Sequence, residues 1–342
     1  MMSRKPATIR DVARDAGMSV ATVSRAIRYP HLLSKDTLEK VNAVIAQLGY
    51  RPNLAAQNLR GTKTDLVLIV VPSLSPFFLE ICRGAEAAAG ESGYNVLMGH
   101  TGRQIERERH LLEETDAGRA DGAIVVTSVD LLALTGSGRL PPAILALDVS
   151  NGTGLPIVRA DHTAGAEEAT LYLAGLGHRR IAHIKGSAAS GMTQHRLEGY
   201  LAALQKCGLA AAPGLIVDGD FTLESGEAAM ETLLTLEERP TAVFAANDQM
   251  ALGAIRTLRR AGLRVPEDMS VIGFDDERIA ALYDPPLSTV RIPTYEIGYW
   301  AMKQMARLLA GEKVEPDIVL ETELAIRRST AAPADIKAPG SQ

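Results

Sequence analysis

From Asp65 onward, short apolar runs alternate regularly with amphipathic stretches, and this alternation is the strongest constraint on the fold. Apolar runs bounded by polar turns predict buried strands, and the longer periodic stretches between them predict helices. Strands that alternate with helices form largely parallel sheets with right-handed crossovers. About 265 residues is large for one sheet, so we expect two similar α/β lobes. The predicted strands are 66–71, 94–98, 122–126, 143–147, 157–158, 181–184, 215–217, 242–245 and 271–274, and examples of the helices between them are 77–89, 164–174 and 251–261.

Charge is distributed unevenly along the chain. The whole chain of 342 residues has a net charge of −5, which taken alone argues against nucleic-acid binding. Residues 1–62, however, carry ten basic and four acidic side chains, a net charge of +6, and the remaining residues carry −11. A basic segment on an acidic body is expected when one part of a protein meets DNA phosphates and the rest does not.

Composition excludes several classes of protein. With 46% hydrophobic and 23% charged residues, the chain has the composition of a folded globular protein. Two cysteines, Cys82 and Cys207, cannot form a disulfide framework or a four-ligand zinc site by themselves. No apolar run reaches the length of a membrane span, and the first residues lack the apolar core of a signal peptide. We therefore expect a cytoplasmic protein.

The motifs of common enzyme classes are absent. The sequence has no Walker loop, no G-x-G-x-x-G that opens a helix and no G-x-S-x-G, so we expect no catalytic residues and no cofactor. We interpret His178 and His183 as structural rather than as metal ligands. The acidic run Asp275-Asp276-Glu277 is compatible with a cation site but is more typical of a helix start. We expect no metal.

The basic segment has the periodicity of three short helices. Two short helices joined by a glycine-containing turn, with a third that completes a small core, are typical of a helix-turn-helix unit, although a generic three-helix bundle gives the same pattern. Thr8, Ser19 and Ser34 precede the three helices and are predicted to cap them, and Gly17 and Gly49 end the first and third.

The polar face of the second predicted helix has a composition suited to DNA. It presents Ala21, Thr22 and Ser24 around one long guanidinium, that of Arg25. Small residues allow a helix to enter the major groove deeply, hydroxyls reach phosphate oxygens, and arginine binds O6 and N7 of guanine. The alternative is that Arg25 is a surface side chain that contacts only solvent.

The basic segment closely resembles the head of the LacI/GalR family of bacterial transcriptional regulators. The resemblance is carried by the residues of the second helix just named, by Thr8-Ile9-Arg10-Asp11-Val12-Ala13 before them and by Leu48-Gly49-Tyr50-Arg51-Pro52-Asn53 after them. In that family the second helix enters the major groove, which implies that Val20, Ala21 and Arg25 read bases. The DNA-binding residues implied by the resemblance are Thr8, Ser19, Val20, Ala21, Thr22, Ser24, Arg25, Tyr50, Asn53, Ala56 and Leu59.

Residues 51–62 are expected to be a linker with about two helical turns. A helix of that length is marginal in water unless something packs on it. In the family this stretch is a hinge that folds on the operator, pairs with its dimer mate and inserts a leucine into the minor groove, and Leu59 matches that leucine by position. The alternative is that Leu59 anchors the linker on the body.

Polar side chains follow several predicted strands of the body. Asp148, Asp161, Asn247 and Asp275 each come directly after an apolar run. Open α/β sheets bind ligands at the carboxyl ends of their strands, so these side chains are candidate ligand contacts, each with a helix-capping role as the alternative. Phe77, Phe78 and Phe221 are candidates to stack on a ring, and Arg196 is a candidate to pair with both a ligand and Asp275.

The body resembles the same family over most of its length, so that the resemblance covers about residues 8–330. Matching stretches include Ser75-Pro76-Phe77-Phe78, Arg196-Leu197-Glu198-Gly199-Tyr200 and Ile272-Gly273-Phe274-Asp275. The resemblance implies a two-lobed, periplasmic-binding-protein-like domain with the effector in the cleft between its lobes. The effector-binding residues that it implies are Phe77, Phe78, Asp148, Arg196, Phe221, Asn247 and Asp275.

Two departures bear on the effector. Ser190 and Met192 occupy positions where purine-responsive members have arginine and threonine, which disfavours a purine base. The body is nearest the cytidine-repressor and sugar-repressor branches, which implies a neutral sugar or nucleoside. The last residues lack the leucine heptad of tetrameric members, so we expect a homodimer. The expected domains are a helix-turn-helix head (1–50), a hinge (51–62), a two-lobed effector-binding domain (63–330) and a flexible tail (331–342).

The sequence thus predicts a ligand-responsive DNA-binding regulator, a repressor of sugar or nucleoside uptake or catabolism genes, whose partners are a double-stranded palindromic operator and a small effector. A solute-binding protein for a transporter shares the body fold but needs no basic head. A co-repressor-dependent or activating member of the family is a further alternative.

Overall fold

The computed structural model describes residues 7–28, 30–50, 63–126, 140–147, 154–188 and 190–334. The chain divides into two compact units, Met1–Thr64 and Asp65–Gln342, each with its own core. Within the described ranges, no helix is both long enough and apolar enough to span a bilayer.

The first unit contains helices α1 (Ile9–Asp15), α2 (Val20–Arg28) and α3 (Lys35–Leu48), with a short 3-10 helix before α3. Thr8 begins α1 with a capping box, in which its hydroxyl accepts from the backbone of Asp11 and the Asp11 carboxylate accepts from the backbone of Thr8. The fold class predicted for this segment, a helix-turn-helix head, is confirmed.

The caps of the other two helices differ from each other. The Ser19 hydroxyl accepts from the backbone N–H of Thr22 at 3.0 Å, as predicted. Ser34, in contrast, makes no capping bond with its side chain, because its hydroxyl lies 2.8 Å from that of Thr37 instead. Gly49 ends α3 in the left-handed conformation, with φ of 60°. Fully buried valines from all three helices form the core: Val12, Val23 and Val41.

The described residues of the second unit form two six-stranded sheets. The amino-terminal sheet has the order β11-β5-β4-β3-β1-β2 and the carboxy-terminal sheet β12-β10-β9-β8-β6-β7. All neighbours are parallel except β10 and β12. The strands are β1 (Leu66–Val71), β2 (Asn95–His100), β3 (Gly122–Val125), β4 (Ala143–Ala146), β5 (Ile157–Ala160), β6 (Ile181–Ile184), β7 (Ile216–Val217), β8 (Ala242–Ala245), β9 (Ser270–Asp275), β10 (Ser288–Arg291), β11 (Asp317–Leu320) and β12 (Glu323–Ala325).

Helices cover both sheets, so that two α/β lobes result, as predicted. The chain passes from one sheet to the other after β5, after β10 and after β11, and each lobe is therefore built from separate parts of the sequence. The α-helices that the described residues of this unit form are α4 (Pro76–Ser92), α5 (Ile105–Glu114), α6 (His162–Gly175), α7 (Gly191–Lys206), α8 (Leu223–Leu234), α9 (Asp248–Arg260), α10 (Arg278–Leu282) and α11 (Thr294–Leu309).

Two buried histidines tie the carboxy-terminal sheet to its surroundings, in keeping with a structural interpretation. His178 lies 2.8 Å from the Thr241 hydroxyl through Nδ1 and donates to the Ala331 carbonyl at 2.9 Å through Nε2. The His183 ring lies between the rings of Tyr200 and Phe244, and its Nδ1 donates to the Phe244 carbonyl at 2.9 Å. Both imidazoles therefore donate to backbone carbonyls within the core.

Glycine allows neighbouring helices of this unit to approach backbone to backbone. A Cβ at Gly84 of α4 would lie 1.9 Å from the Tyr295 carbonyl oxygen of α11, and a Cβ at Gly298 of α11 would lie 1.9 Å from the Ile81 carbonyl oxygen of α4. Helices α8 and α9 have the same reciprocal arrangement, with Gly226 and Gly253. Hydrophobic periodicity does not reveal these contacts, because glycine contributes no side chain to it.

Gly84→Ala should therefore destabilise the second unit by about 1–3 kcal/mol, because the methyl group meets backbone that cannot rotate away. Gly90→Ala in the same helix is the matched control, since a Cβ there meets nothing within 4 Å. We expect the control to gain about 0.4–1 kcal/mol from its better helix propensity. Urea denaturation of the full chain measures both, and equal stability of the two variants would contradict this account of the helix contact.

His183 should make the protein less stable in acid. Burial lowers the pKa of His183 from 6.5 to about 4, because protonation would place a charge where water does not solvate it, and the positive charges of Arg196 and Lys185 act in the same direction. Below pH 6.5 the unfolded chain binds the proton and the native one does not, so stability is complete above pH 6.5 and falls as the pH drops towards 4. The loss is about 3 kcal/mol over that window.

The comparison that isolates this effect is His183→Asn, whose amide can still donate to the Phe244 carbonyl. Urea denaturation at pH 7.5 and at pH 5 should show a smaller difference in the free energy of unfolding for the variant than for the original chain. Equal differences would assign the acid sensitivity to other groups.

Candidate DNA-reading helix and ligand cleft

Packing of the first unit determines which face of α2 is exposed. Val23 and Ala26 are buried against the core, which leaves Val20, Ala21 and Arg25 exposed. Thr22 and Ser24 are half-buried beside them. The exposed face of α2 thus presents small side chains and one long cation, the chemistry that direct reading of a major groove requires.

Arg14 of α1 and Arg25 of α2 differ in their ion-pair partners. Arg14 of α1 is bound to Asp11 at 3.1 Å and to Asp15 at 2.9 Å. Arg25 takes part in no ion pair among the described residues. Tyr50 is half-buried against the core of the head. Three predicted DNA-binding residues lie outside the described residues: Asn53, Ala56 and Leu59.

A cavity of about 330 Å³ lies between the lobes of the second unit. Residues from both lobes line it, and they include six of the seven predicted effector-binding residues, whereas the seventh, Asp148, lies outside the described residues. That these side chains contact a ligand stays a prediction. The six are Phe77, Phe78, Arg196, Phe221, Asn247 and Asp275.

A buried ion pair lies in the cavity wall. Arg196, in the second turn of α7, is 1% exposed and donates from Nη2 to Oδ1 of Asp275 at 3.1 Å. Its Nη1 donates to the Ala246 carbonyl, and its guanidinium lies over the Phe274 ring, 4.0 Å from the ring centre. Burial raises the pKa of Asp275 to about 7, and the positive charge of Arg196 opposes that rise.

The acidic side chains of Asp275, Asp276 and Glu277, at the end of β9, have separate partners. Asp275 and Asp276 have positive φ values of 113° and 54°, which direct successive side chains to different partners. Asp275 binds Arg196, whereas Asp276 accepts from Arg291 at 2.7 Å and from Arg327 at 2.6 Å. Glu277 then begins α10, as the interpretation as a helix start predicts. Among the described residues, no cluster of three or more His, Cys, Asp or Glu side chains is arranged to hold a metal ion.

Phe221 forms an aromatic part of the wall on the carboxy-terminal side. It has φ of 70°, and its ring lies where a Cβ at Gly186 would be, 2.0 Å from the nearest ring atom, so only glycine fits there. Asn247 accepts from the Met250 backbone at 2.9 Å and donates from Nδ2 to the Phe221 carbonyl at 3.1 Å. The Asn247 side chain therefore caps α9 and also holds the Phe221 turn in place.

The amino-terminal lobe supplies two further aromatic rings and a cation. Phe77 and Phe78 begin α4 with their rings edge to face, 5.1 Å apart. Arg103, in the turn after β2, donates from Nη1 to the backbone carbonyl of Asp220 at 3.3 Å. Because Asp220 belongs to the other lobe, this hydrogen bond crosses the cleft.

Several cavity residues were not among those predicted. Ser73 and Ser75 follow β1, Ser187 follows β6, and Gln249 follows β8, so the rule that ligands bind at strand ends would have found them if it had been applied to neutral side chains. Three other cavity residues that were not predicted are Arg103, Met192 and Glu277. The strand-end candidate Asp161 accepts from the Ala164 backbone at 2.9 Å as the cap of α6 and does not line the cavity.

Comparisons with known proteins agree with both units. Residues 8–53 match the family described as bacterial regulatory proteins, lacI family, and residues 170–330 match a periplasmic binding protein-like domain. The HTH-type transcriptional repressor CytR of Escherichia coli (strain K12) is 38% identical over 331 residues, which cover 95% of this chain and 97% of that protein.

Solved structures match over nearly the whole chain as well. The lac repressor dimer bound to operator and the anti-inducer ONPF has a TM-score of 0.85 at 32% identity, with 96% of this chain and 100% of that chain covered. The complex of the transcriptional regulator CelR with cellobiose has a TM-score of 0.72 at 34% identity, with 94% and 99% covered.

Removal of the Asp275 carboxylate from the buried ion pair should lower the free energy of unfolding of the second unit. Asp275→Asn at pH 8 leaves the Arg196 guanidinium buried without its counter-charge, which we expect to destabilise the second unit by about 3 kcal/mol. Asp268→Asn breaks the exposed Arg264–Asp268 pair by the same chemical change and should have little effect. Urea denaturation measures both, and a similar small loss in the two variants would show that the buried pair does not need its carboxylate.

Proposed function

We propose the function from the premise that the chain belongs to the lacI family of bacterial regulatory proteins. Members of this family are ligand-responsive DNA-binding regulators and not enzymes, and this chain is one of them. In detail, we propose a repressor of sugar or nucleoside uptake or catabolism genes that a small neutral effector releases from a palindromic operator. It acts in the cytoplasm, because its operator is part of the bacterial chromosome.

The observation that carries the DNA-binding part is the exposed face of α2. A helix whose buried side is fixed by Val23 and Ala26 presents Val20, Ala21 and Arg25 outward. We assign these three residues to the reading of bases. We assign contacts with the DNA phosphates around those bases to a second group of residues, which consists of Thr8, Ser19, Thr22, Ser24 and Tyr50.

The hinge, 51–62, is assigned from its sequence, because it lies outside the described residues. Asn53, Ala56 and Leu59 are proposed to contact the operator when the hinge folds, with Leu59 as the minor-groove wedge. Coupling of hinge folding to DNA binding fits a segment too short to be a stable helix alone.

The cleft is proposed to take the effector. It combines three aromatic rings with a floor of charged and amide groups, the composition of sites for small polar ligands with apolar ring faces. Arg196 and Asp275 neutralise each other there, which favours a ligand without net charge. Asp148 belongs to the proposed effector site by its place after β4.

A homodimer is supported by exposed apolar side chains on both lobes. Leu97 and Met98 lie on β2, at the edge of the amino-terminal sheet, and Leu282 of α10 is 70% exposed on the other lobe. Apolar side chains at a sheet edge are unfavourable on a lone chain and are covered when a second copy packs against them. Two copies related by a two-fold axis read a palindromic operator.

The test begins with selection of bound sequences from random double-stranded DNA, followed by gel-shift titration on the selected operator. We expect a palindromic sequence that the protein releases when one of a set of monosaccharides, disaccharides and nucleosides is added. Binding of DNA without sequence preference would contradict the proposal of a specific operator. Binding that none of these compounds changes would contradict the proposed effector class.

Arg25→Ala should reduce the affinity for the selected operator by about 1–3 kcal/mol and remove the preference at one base position of each half-site. Arg14→Ala is matched in charge, but Arg14 is already bound to Asp11 and Asp15. The control should keep the base preference at every position. Gel shifts on operators with single base changes measure this, and an unchanged preference in Arg25→Ala would remove Arg25 from base reading.

A further inference from the structure

We propose that Glu277, held by Gln249 and Asp248, is a specificity-determining residue of the cleft that binds hydrogen-bond donors of the ligand, either an amine or neighbouring hydroxyls. The proposal rests on the proposed function, since it requires that the cleft binds a small molecule. Neither Glu277 nor Gln249 was expected from the sequence to contact the effector, yet both line the cavity.

The backbone of Glu277 is fixed from inside the core. Its N–H donates to Oδ2 of the buried Asp248 at 2.7 Å, and the Thr289 hydroxyl donates to the other oxygen at 2.5 Å. Asp248 in turn lies against Gly273, where a Cβ would be 2.3 Å from its Oδ1. Glu277 therefore lies on a rigid part of the wall.

The side chain of Glu277 is also oriented. The Gln249 amide nitrogen donates to Oε2 of Glu277 at 2.9 Å. This bond leaves the second carboxylate oxygen of Glu277 and the amide oxygen of Gln249 as acceptors, and one amide N–H of Gln249 as a donor. Because the ionised carboxylate only accepts, Glu277 is complementary to ligand donors such as an –NH₂ or a vicinal diol.

The charges around Glu277 leave it available for a ligand. Asp275 is matched by Arg196, and among the described residues no lysine or arginine forms an ion pair with Glu277. Arg103, the other cation in the cavity lining, donates to the Asp220 carbonyl across the cleft. Burial raises the pKa of Glu277, so its ionised form is poorly solvated, and donors on a bound ligand would offset that cost.

The remaining lining determines how the ligand lies. Phe77 and Phe78 are on the amino-terminal lobe, whereas Glu277 and Gln249 are on the carboxy-terminal lobe. A ligand between them presents an apolar ring face to the aromatic rings and its donors to the carboxylate. The neutral ion pair of Arg196 lies in the same wall, so the effect of Glu277 is on which substituents are accepted rather than on net charge.

Isothermal titration calorimetry of the full chain with two series of probes tests this. One series is cytidine, uridine and 2′-deoxycytidine, and the other is D-glucose and 2-deoxy-D-glucose, all without net charge at neutral pH. The probes differ at the amine edge of the base, where uridine replaces the amine by a carbonyl and gains an N3–H, or at one hydroxyl, so the two donor chemistries are separated. We expect that loss of the relevant donor weakens binding about tenfold to a hundredfold, as for a hydrogen bond to a charged group.

Glu277→Gln should abolish this discrimination within the series, because it removes the charge and turns one acceptor into a donor. Glu224→Gln makes the same change at an exposed position of α8 that does not line the cavity, and it should keep the discrimination. Gel shifts on the selected operator verify that both variants are folded and bind DNA.

Two results would overturn the inference in different ways. If a probe binds and Glu277→Gln discriminates as the original chain does, Glu277 does not determine specificity, and the proposed function stands. If no probe of either series binds the original chain, the proposed sugar or nucleoside class is wrong, and the inference fails with it.

Discussion

The cleft depends on one interaction, the buried ion pair between Arg196 and Asp275. Two charges removed from water lose several kcal/mol of solvation each, and their attraction repays this only when further hydrogen bonds satisfy the remaining atoms. The fold supplies part of this compensation, since Arg196 also donates to the Ala246 carbonyl and its guanidinium lies over the Phe274 ring. One side chain from α7 thereby connects the ends of β8 and β9, and both strand ends form the floor of the cavity.

The neighbouring residues Asn247, Asp248 and Gln249 extend this arrangement, each towards a different part of the wall. Asn247 holds the Phe221 carbonyl, Asp248 holds the backbone of Glu277, and Gln249 holds its carboxylate. Because their partners are far apart in the sequence, a change at any of them is expected to displace others. The wall on the carboxy-terminal side is therefore one connected hydrogen-bonded unit rather than a set of independent contacts.

Much of this could be predicted from sequence, and the exceptions have physical reasons. Apolar runs located β1, β6 and β8 to the residue, because strands buried on both faces are almost wholly apolar, with His183 of β6 as the exception. The strands β10, β11 and β12 were not predicted. Three of the four residues of β10 are polar although most of the strand is buried, and β11 and β12 are partly exposed strands at sheet edges.

The residues that line the cavity were also predicted only in part. The rule that polar side chains directly after a predicted strand contact a ligand selected Asn247 and Asp275, which line the cavity. The same rule selected Asp161, which caps a helix and does not line the cavity. Glu277 and Arg103 reach the cavity only through backbone with positive φ at or just before them. Sequence periodicity carries no information about such turns, since Asp276 and Arg103 are not residue types that require this conformation.

A ligand switches a regulator of this kind only by its difference in affinity for two arrangements of the lobes. To move a population from 1:99 to 99:1 requires about 5.5 kcal/mol of such difference. The hydrogen bond from Arg103 to the Asp220 carbonyl crosses the cleft, but a bond from an exposed charged group contributes at most about 1.5–3 kcal/mol. The proposed function therefore requires that the larger share come from a ligand that contacts both walls at once, Phe77 and Phe78 on one side and the Arg196–Asp275 floor on the other. On the same proposal, a compound that contacts only one wall binds without switching the protein.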